Sequence, residues 1–293
     1  IPSNIKEEWV KIGQKNKTVF KDWSDRFQSL SERKRTAFLN ELDKIFPSKL
    51  SQGIKNFKKL YSQEIKTELA TRKASELCLD LINEYFNNTI GGSADLTGSN
   101  NTKTKKIEVF SELNRSGRYI HYGIREHGMA AIMNGMSLHG GIIPYGGTFL
   151  TFSDYCRGAI RLSALMGLGV IYVMTHDSIG LGEDGPTHQP VEHLASLRSI
   201  PNLNVFRPCD VIETIECWEI ALKSKYKPSI ICLSRQNLPL IRKEQVSINR
   251  SFKGAYIVKD FINKKKVILI ATGSEVQIAL KAAEILEKNK IGT

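Results

Sequence analysis

The sequence predicts an α/β fold in which a mainly parallel sheet carries helices on both faces. Short apolar runs such as Val170–Thr175 and Ser229–Leu233 have the length and the β-branched content of buried strands. Stretches with apolar residues at helical spacing lie between such runs, as in Ala70–Phe86. Because strands that alternate with helices pair in parallel and are covered on both sides, these observations together indicate the fold class.

Length and composition narrow the class of protein further. The chain has 293 residues, enough for two ordinary domains or for one domain with large attachments. Its hydrophobic content of 41% and charged content of 25% are those of a soluble globular protein. No apolar run approaches the ~20 residues that span a bilayer and no secretory signal opens the sequence, so we expect a cytoplasmic protein with no membrane partner. Five scattered cysteines without a CxxC spacing predict reduced, buried thiols.

The formal net charge of +12 raises the question of nucleic-acid binding. The lysines form short clusters that are not interleaved with aromatic residues and belong to no recognisable nucleic-acid-binding motif. We therefore expect solvated lysine faces and no nucleic-acid partner. A basic surface also attracts small anions such as sugar phosphates.

The amino-terminal part differs in character from the rest. Residues 1–66 are rich in lysine and favour helix, with aromatic residues spaced along them and a break at Pro47. We interpret this segment as a helical connector that packs on another part of the protein rather than as a domain with its own core. Ala70–Phe86 then predicts an amphipathic helix, after which Ile90–Ala94 enters a loop rich in Gly, Asp, Ser and Asn.

Helices and strands alternate over the following segments. Helices are predicted over Glu126–Leu138, Asp154–Met166, Val191–Arg198 and Val211–Ser224. Strands are predicted over Val170–Thr175, Asn204–Arg207 and Ser229–Leu233. In sheets of this kind the functional loops follow the carboxyl ends of the strands.

The carboxyl-terminal part has the pattern of a second α/β domain that has only begun. A polar linker, Asn237–Ser251, precedes two predicted strands at Gly254–Asp260 and Lys266–Ala271. A glycine-containing turn then leads into a predicted helix at Glu275–Asn289. This strand–turn–helix unit lacks the remaining strands of such a domain, so we expect the sequence to be cut from a longer protein at both ends.

The loop His176–Pro190 carries the densest group of chemically versatile residues. Its sequence, HDSIGLGEDGPTHQP, holds two histidines, two aspartates and one glutamate among three glycines, and it follows a predicted strand. The glycines permit backbone conformations and close approaches that a side chain would block. The alternative is a solvated polar loop, but two histidines with this glycine content fit a ligand-binding loop better.

This loop closely resembles the signature of transketolases, and seven further segments resemble the same family in the same order. They are ATRKASE (Ala70–Glu76), GGSADLTGSN (Gly91–Asn100), GIREHGM (Gly123–Met129), PYGGTFLTFSDY (Pro144–Tyr155), RPCD (Arg207–Asp210), LSRQNLP (Leu233–Pro239) and ATGSEV (Ala271–Val276). The resemblance implies an α/β domain that binds the pyrimidine of thiamine diphosphate. It also implies transfer of a two-carbon ketol unit from a ketose phosphate to an aldose phosphate, a reaction of the pentose phosphate pathway.

The resemblance assigns the cofactor to Glu126, Phe149, Phe152 and Tyr155. Glu126 resembles the family's catalytic glutamate, which hydrogen-bonds the aminopyrimidine so that the cofactor forms its reactive ylid. The alternative is a glutamate stabilised by the dipole at a helix N-terminus, and both readings can hold together. The aromatic residues recur at i, i+3 and i+6, a spacing that by itself favours a core stripe, whereas the family uses them to wall the pyrimidine ring.

The resemblance assigns the sugar phosphate to six residues, namely Arg72, Ser99, His176, Asp184, His188 and Arg235. Asp184 suits a hydrogen bond to the C2 hydroxyl, and His188 suits a catalytic role in polarising the substrate carbonyl or exchanging a proton with it. His176, Arg72, Ser99 and Arg235 together resemble a set of donors for the phosphate. Without the resemblance, the two arginines would be interpreted as solvated surface residues.

One motif of the family, GDG followed by an Asn, is missing from this sequence, and the segment Glu183–Gly185 resembles it only superficially. We therefore expect no metal ligands here, and expect those of Mg²⁺ or Ca²⁺ in an upstream domain. In the family the active site lies between subunits, which implies a homodimer. The predicted divisions are a connector (1–66), the pyrimidine-binding domain (67–236), a linker (237–253) and the start of a carboxyl-terminal domain (254–293).

Two alternative functions stay open on the residues alone. Dihydroxyacetone synthase is a close relative that uses formaldehyde as acceptor, and the predicted phosphate-binding residues argue against it. A role without catalysis, as a dimerisation or ligand-binding module, is the alternative of a different class, because about half of the predicted site lies outside the sequence.

Overall fold

The chain divides into two compact units, Ile1–Ile45 and Phe46–Thr293. The computed structural model describes residues 1–63, 68–244, 247–260, 264 and 266–293. The predicted junction at residues 66 and 67 lies outside the described residues. Among the described residues, none of the helices combines the length and the hydrophobicity that a membrane span requires.

The first unit consists of three helices, α1 (Ser3–Gln14), α2 (Lys17–Ser29) and α3 (Glu32–Leu42). None of the three helices has a buried residue. Aromatic side chains nevertheless follow one another at ring distances of 5.4 Å for Trp23 and Phe27 and 5.5 Å for Phe27 and Phe38. The aromatic side chains therefore form a partly exposed apolar row rather than a closed core, as expected for a segment that cannot bury its own apolar face.

The second unit contains eight strands and eight helices within its described residues. The strands are β1 (Glu68–Ala70), β2 (Thr89–Ser93), β3 (Tyr119–His121), β4 (Ile143–Phe149), β5 (Ile171–Thr175), β6 (Asn204–Phe206), β7 (Ser229–Leu233) and β8 (Asn237–Pro239). The helices are α4 (Ser48–Ser62), α5 (Thr71–Tyr85), α6 (Thr97–Asn100), α7 (Glu126–His139), α8 (Ser153–Leu165), α9 (His193–Arg198), α10 (Val211–Lys223) and α11 (Glu275–Lys288).

The main sheet confirms the predicted fold class. In the described part of the chain its strand order is β3-β2-β4-β5-β7-β6, and every neighbouring pair runs parallel. Strands β1 and β8 form a separate antiparallel pair in which Ala70 lies opposite Asn237. All carboxyl ends of the main sheet therefore meet at one edge.

Alternation of side chains along the central strands creates two apolar cores, one on each face of the sheet. Tyr172 and Met174 of β5 join a core with residues of α7 and α8, whereas Ile171 and Val173 join a core with residues of α4, α5 and α10. Successive side chains of a strand point to opposite faces, and both sets here are buried. Each fully buried aliphatic side chain contributes about 1.5–3 kcal/mol relative to exposure.

A buried charge cluster lies beneath α4 and α10. The Glu216 carboxylate accepts hydrogen bonds from Lys58 Nζ at 3.0 Å, from both terminal nitrogens of Arg242 at 3.3 Å, and from the Ser251 hydroxyl at 2.9 Å. All three charged side chains are almost inaccessible to solvent. The cluster fastens the segment after β8 to the core, since Arg242 and Ser251 come from that segment.

Most predicted helices and strands agree with the structure, and two kinds of prediction do not. Strands β1, β3, β4 and β8 were not among the predicted strands, although β4 lies in the middle of the main sheet. Strand β8 occupies the first residues of the predicted linker Asn237–Ser251. The strands predicted over Gly254–Asp260 and Lys266–Ala271 are wrong, because neither range is a strand. The amides of Lys266 and Val267 both donate to the Gly292 carbonyl, and no neighbouring strand of the described chain pairs with this segment.

The cysteine prediction is confirmed. All five cysteines are free and buried. Burial raises the pKa of Cys156 to about 12, so this thiol stays protonated and unreactive at neutral pH.

Candidate active site at the carboxyl edge of the sheet

The predicted site residues follow the carboxyl ends of neighbouring strands. Ser99 comes after β2, Glu126 after β3, Phe152 after β4, His176 after β5 and Arg235 after β7. Because these strands are parallel neighbours, their following loops lie at one edge, where α/β sheets bind ligands. The fold thus brings together residues that are up to 136 positions apart, counted from Ser99 to Arg235.

Four aromatic and histidine rings form the centre of this edge. Phe149 stacks on His176 with ring centroids 3.8 Å apart, and on Phe152 at 5.5 Å. The His188 ring meets Phe149 at 5.8 Å and Phe152 at 5.3 Å, edge-on in both cases. Tyr155 extends the row, 5.8 Å from Phe152, and its side chain is 65% exposed. Phe149 is therefore the buried base of the row and Tyr155 its open end.

His176 is held firmly at this centre. Its backbone has φ of +60°, a conformation that few residues other than glycine adopt, so the surrounding structure must stabilise it. Its Nδ1 lies 2.9 Å from the Thr175 hydroxyl oxygen, which in turn accepts a hydrogen bond from Asn100 Nδ2 at 3.0 Å. Burial, and next the positive charge of Arg72, lower the pKa of His176 to about 4. The imidazole is therefore neutral at physiological pH.

The two predicted arginines converge through the antiparallel strand pair. The Ala70 amide donates to the Asn237 side chain at 3.1 Å, and the Arg72 amide donates to the Ser234 carbonyl at 3.3 Å. This pairing brings the start of α5 beside the chain that follows β7. Burial and the charge of Arg235 lower the pKa of Arg72, whereas the charge of Asp184 raises it. Two cations whose charges act on each other in this way favour an anion between or beside them.

Ser99 enters this group through its backbone. Arg72 Nη1 donates to the Ser99 carbonyl at 2.9 Å, which fixes the guanidinium and leaves its other donors for a ligand. Arg235 is held more loosely, since its Nη2 lies 3.4 Å from Glu183 on an exposed turn.

Asp184 and His188 lie on the glycine-containing loop. Asp184 is exposed, and Gly185 after it has φ of +83°, which a side chain would strain. The His188 amide donates to the Gly185 carbonyl at 3.1 Å, closing a turn that presents the His188 ring to Phe149 and Phe152. A Cβ added at Gly180 would lie 2.5 Å from Nε2 of Gln236. The same loop therefore packs closely against the segment after β7 at this glycine.

Glu126 is the first residue of α7 and is buried, with 8% of its surface exposed. Burial, followed by the charge of Glu126, raises the pKa of Cys156 on α8, so the carboxylate lies near that helix. The Cys156 thiol in turn contacts the Phe152 carbonyl at 3.9 Å. The Glu126 carboxylate is thus placed near Cys156, which follows Phe152 by four positions.

Sequence reasoning missed the residues that brace the loop from its far end. His193 Nε2 lies 3.1 Å from Asp154 Oδ2, and Arg157 donates to the Ser196 hydroxyl at 2.8 Å. These contacts join α9 to α8, directly beside the aromatic row. The i, i+3 spacing of Asp154 and Arg157 on a predicted helix was the available signal. In the described chain, one group of histidine and carboxylate side chains has ligand atoms close enough together to hold a metal ion. It consists of Asp154, Glu192 and His193.

Comparison with known proteins gives a consistent result. Residues 67–241 match the family model for the transketolase pyrimidine binding domain, and residues 254–293 match the model for a transketolase-like C-terminal domain. A transketolase of Rhodobacter capsulatus is 56% identical over 293 residues, which cover 100% of this chain and 44% of that protein. The transketolase of Sinorhizobium medicae is 54% identical over 287 residues, 98% of this chain and 41% of that protein. The chain spans less than half the length of these curated relatives.

Solved structures agree with the sequence relatives. A Pichia stipitis transketolase in complex with sedoheptulose 7-phosphate superposes with a TM-score of 0.89 at 38% identity, over 100% of this chain and 43% of that one. A structure described as the inactive β4 tetramer of a split-gene transketolase superposes with a TM-score of 0.60 at 28% identity, over 76% of this chain and 68% of that one.

Proposed function

Because the chain belongs to the transketolase family, we propose that it forms the pyrimidine-binding part of an enzyme that transfers a two-carbon ketol unit between sugar phosphates. The observation that carries this proposal is the convergence of a neutral histidine, an aromatic row and two arginines at one sheet edge. Such an edge suits an aromatic cofactor on one side and a phosphate ester on the other.

The described residues fit the pyrimidine end of thiamine diphosphate. Phe152 and Tyr155 offer partly exposed ring faces on which an aromatic heterocycle can stack, and Phe149 supports them from below. Glu126 offers a buried carboxyl group at a rigid helix start, where it can share a proton with a ring nitrogen. The bound cofactor supplies the nucleophilic carbon. The protein residues hold the pyrimidine, exclude water and exchange the proton at Glu126.

We propose the remaining residues for the substrate. His188 lies over the aromatic row, within reach of a carbonyl held next to the cofactor. Asp184 suits the substrate C2 hydroxyl. His176, the Ser99 backbone and the two arginines, Arg72 and Arg235, suit the phosphate, because a neutral imidazole and guanidinium groups donate hydrogen bonds to phosphate oxygens.

Our proposal for the organisation of the whole protein rests on its resemblance to the family. We propose the divisions 1–66, 67–236, 237–253 and 254–293, with the diphosphate and its Mg²⁺ or Ca²⁺ held by a part that precedes them. We also propose a cytoplasmic homodimer in which one subunit's pyrimidine-binding part faces the diphosphate-binding part of the other.

A non-catalytic role for the isolated chain is the second candidate. It is favoured by the similarity to a split-gene transketolase chain whose tetramer is described as inactive. Dihydroxyacetone synthase activity is disfavoured by the pair of arginines, since formaldehyde carries no phosphate.

The test of the proposed function is Glu126→Gln in the complete protein, with ketol transfer measured in the presence of thiamine diphosphate and Mg²⁺. Glutamine keeps the size of the side chain but cannot share the proton, so turnover should fall by about 10²-fold or more while the circular dichroism spectrum stays unchanged. Glu112→Gln, on an exposed loop, is the matched control and should retain full activity. Near-normal turnover of Glu126→Gln would refute the catalytic assignment.

A further inference from the structure

Two of the motifs singled out in the sequence, RPCD and ATGSEV, take no part in the proposed cofactor and substrate contacts. Arg207 and Ala271, the first residues of the two motifs, are 64 positions apart in the sequence. The structure brings them into direct contact, with Arg207 of the first motif surrounded by the turn Thr272–Glu275 of the second.

Arg207 contacts this turn with its backbone and with both terminal nitrogens. Its Nη1 donates to the Thr272 carbonyl at 3.0 Å and forms an ion pair with Glu275, and its Nη2 donates to the Ser274 hydroxyl at 3.2 Å. The Gly273 amide donates to the Arg207 carbonyl at 3.0 Å. The guanidinium therefore fixes the turn at the start of α11.

The third nitrogen of Arg207 points to the candidate active site. Its Nε donates to Asp177 Oδ2 at 2.8 Å, and both side chains are nearly inaccessible to solvent. Burial raises the pKa of Asp177, and the charge of Arg207 acts against that rise. The other carboxylate oxygen of Asp177 is buried with no hydrogen-bond partner among the described residues. Arg207 is thus the group that compensates the buried charge of Asp177.

Asp177 is the residue next to His176. The Asp177 amide donates to the Leu233 carbonyl at 3.2 Å, so backbone and side chain together determine where the chain leaves β5. His176 has the unusual φ of +60° at that point, and its ring stacks on Phe149. A displacement of Asp177 would therefore change the position of the His176 ring.

We propose that Arg207 is a positioning residue that links the turn Thr272–Glu275 to His176 through Asp177. Docking of the carboxyl-terminal segment then sets the position of the His176 ring, and with it the affinity for the phosphate of the substrate. The role assigned to that affinity rests on the proposed function, whereas the link itself rests on the contacts of Arg207.

Gly273 allows the link to be perturbed without changing a charge. Its φ is +57°, and a Cβ added there would lie 2.8 Å from Cγ of Arg207. Gly273→Ala should therefore push the Arg207 side chain away from its present place. Glu275→Gln weakens the same contact by removing the ion pair, and Arg207→Lys removes the fork of donors. Gly135→Ala is the matched control, because a Cβ on that helical glycine meets no atom within 4 Å.

The experiment records the histidine ¹³Cε1–H signals of the complete protein, with the His176 signal identified by its loss in His176→Gln. Gly273→Ala and Glu275→Gln should move the His176 signal, while Gly135→Ala should leave it in place. The KM for phosphorylated sugars should rise about fivefold or more in both variants, with kcat and the KM for unphosphorylated sugars nearly unchanged.

An unchanged His176 signal in both Gly273→Ala and Glu275→Gln would overturn the proposal, even if Arg207→Lys fails to fold. A shifted signal in a protein that transfers no ketol unit would support the link and refute the proposed function. A shifted signal with equal effects on both classes of sugar would overturn the assignment to phosphate affinity.

Discussion

At the scale of single residues, burial controls which groups of the candidate site carry charge. His176 is kept neutral by burial and by Arg72, with a pKa of about 4. A neutral ring can stack on Phe149 without bringing a further positive charge next to two arginines. It can also donate one hydrogen bond to an anion, so the proposed phosphate site would combine the charges of Arg72 and Arg235 with a neutral donor.

This lowered pKa predicts how stability depends on pH. The unfolded chain binds a proton at His176 near pH 6.5 and the folded chain near pH 4, so this residue stabilises the fold fully above pH 6.5, and its contribution is lost as the pH falls toward 4. Between pH 7 and pH 5 the free energy of unfolding, measured with urea, should therefore fall less for His176→Gln than for the unchanged protein.

Burial raises the pKa of Asp210 to about 6, so this residue favours the folded state as the pH falls through the same range. Its effect cancels in the comparison because the unchanged protein and His176→Gln both carry Asp210. His139→Gln replaces an exposed histidine and should follow the unchanged protein. Equal losses for His176→Gln and the unchanged protein would contradict the assigned ionisation.

Arg235 predicts a separation between classes of substrate. Among the described residues its guanidinium has one weak partner, Glu183 at 3.4 Å, so we expect its donors to be available to a phosphate. A hydrogen bond to a charged group contributes about 1.5–3 kcal/mol, so Arg235→Ala should raise the KM for phosphorylated sugars about 10- to 100-fold. Steady-state kinetics with matched phosphorylated and unphosphorylated sugars measure this.

The exposed Arg161 on α8 provides the control for Arg235. Arg161→Ala removes the same charge from the surface away from the sheet edge and should leave both KM values unchanged. Equal rises for both classes of sugar in Arg235→Ala would argue that this arginine supports the loop rather than the phosphate.

At the scale of helices and strands, predictability followed the strength of the local signal. The helix predicted over Glu126–Leu138 is α7, Glu126–His139, because its apolar positions recur at helical spacing. Strand β4 carries Pro144, Gly146 and Gly147, which are poor strand formers, and was not predicted. Those glycines are required by packing, since a Cβ on Gly146 would lie 2.7 Å from Met133 Sδ. A contact between distant elements is not visible in local sequence.

The wrong strand predictions have a different cause. Ile268 and Ile270 have the β-branched character of strand residues, yet they are 83% and 89% exposed. A strand needs a hydrogen-bonded neighbouring strand, and among the described residues the two amide donations to Gly292 do not extend into a strand pair. The residues of the candidate site were predicted from their motifs, whereas their braces, such as Asp154 with His193, depend on helix packing.

Helix α10 offers a prediction on the stability of one element. Asp210 caps it by accepting from the Glu213 amide at 2.9 Å, and its second oxygen accepts from the amides of Ile241 and Arg242 at 3.0 and 2.7 Å. Asp210→Ala removes the cap and leaves the Ile241 and Arg242 amides, one partly buried and one buried, without their acceptor, so the free energy of unfolding should fall by about 2–4 kcal/mol. Urea unfolding measures this change.

Glu112→Ala, at an exposed loop position, is the control for Asp210 and should change the free energy of unfolding by less than about 0.5 kcal/mol. A loss below about 1 kcal/mol in Asp210→Ala would mean that water replaces the carboxylate at these amides.

At the scale of the whole molecule, the division of labour within the site determines what this chain can do alone. The sheet edge supplies the residues proposed for the pyrimidine and the phosphate ester, while the GDG and Asn motif of the family is not in the sequence. In the described chain, the candidate ion-binding group consists of Asp154, Glu192 and His193, and both of its carboxylates are exposed. His193 Nε2 and Asp154 Oδ2 are already engaged in a 3.1 Å hydrogen bond. This group is a poor substitute for a diphosphate-bound metal site.

The last prediction concerns this division directly. Residues 1–293 produced alone should fold, as judged by circular dichroism, yet should show no ketol transfer with added thiamine diphosphate and Mg²⁺, because nothing in the sequence matches the family's anchor for the diphosphate. The complete protein under the same conditions is the positive control. Full activity of residues 1–293 would refute the inference that half of the site is supplied from elsewhere. Activity restored by adding the separately produced upstream part would support it.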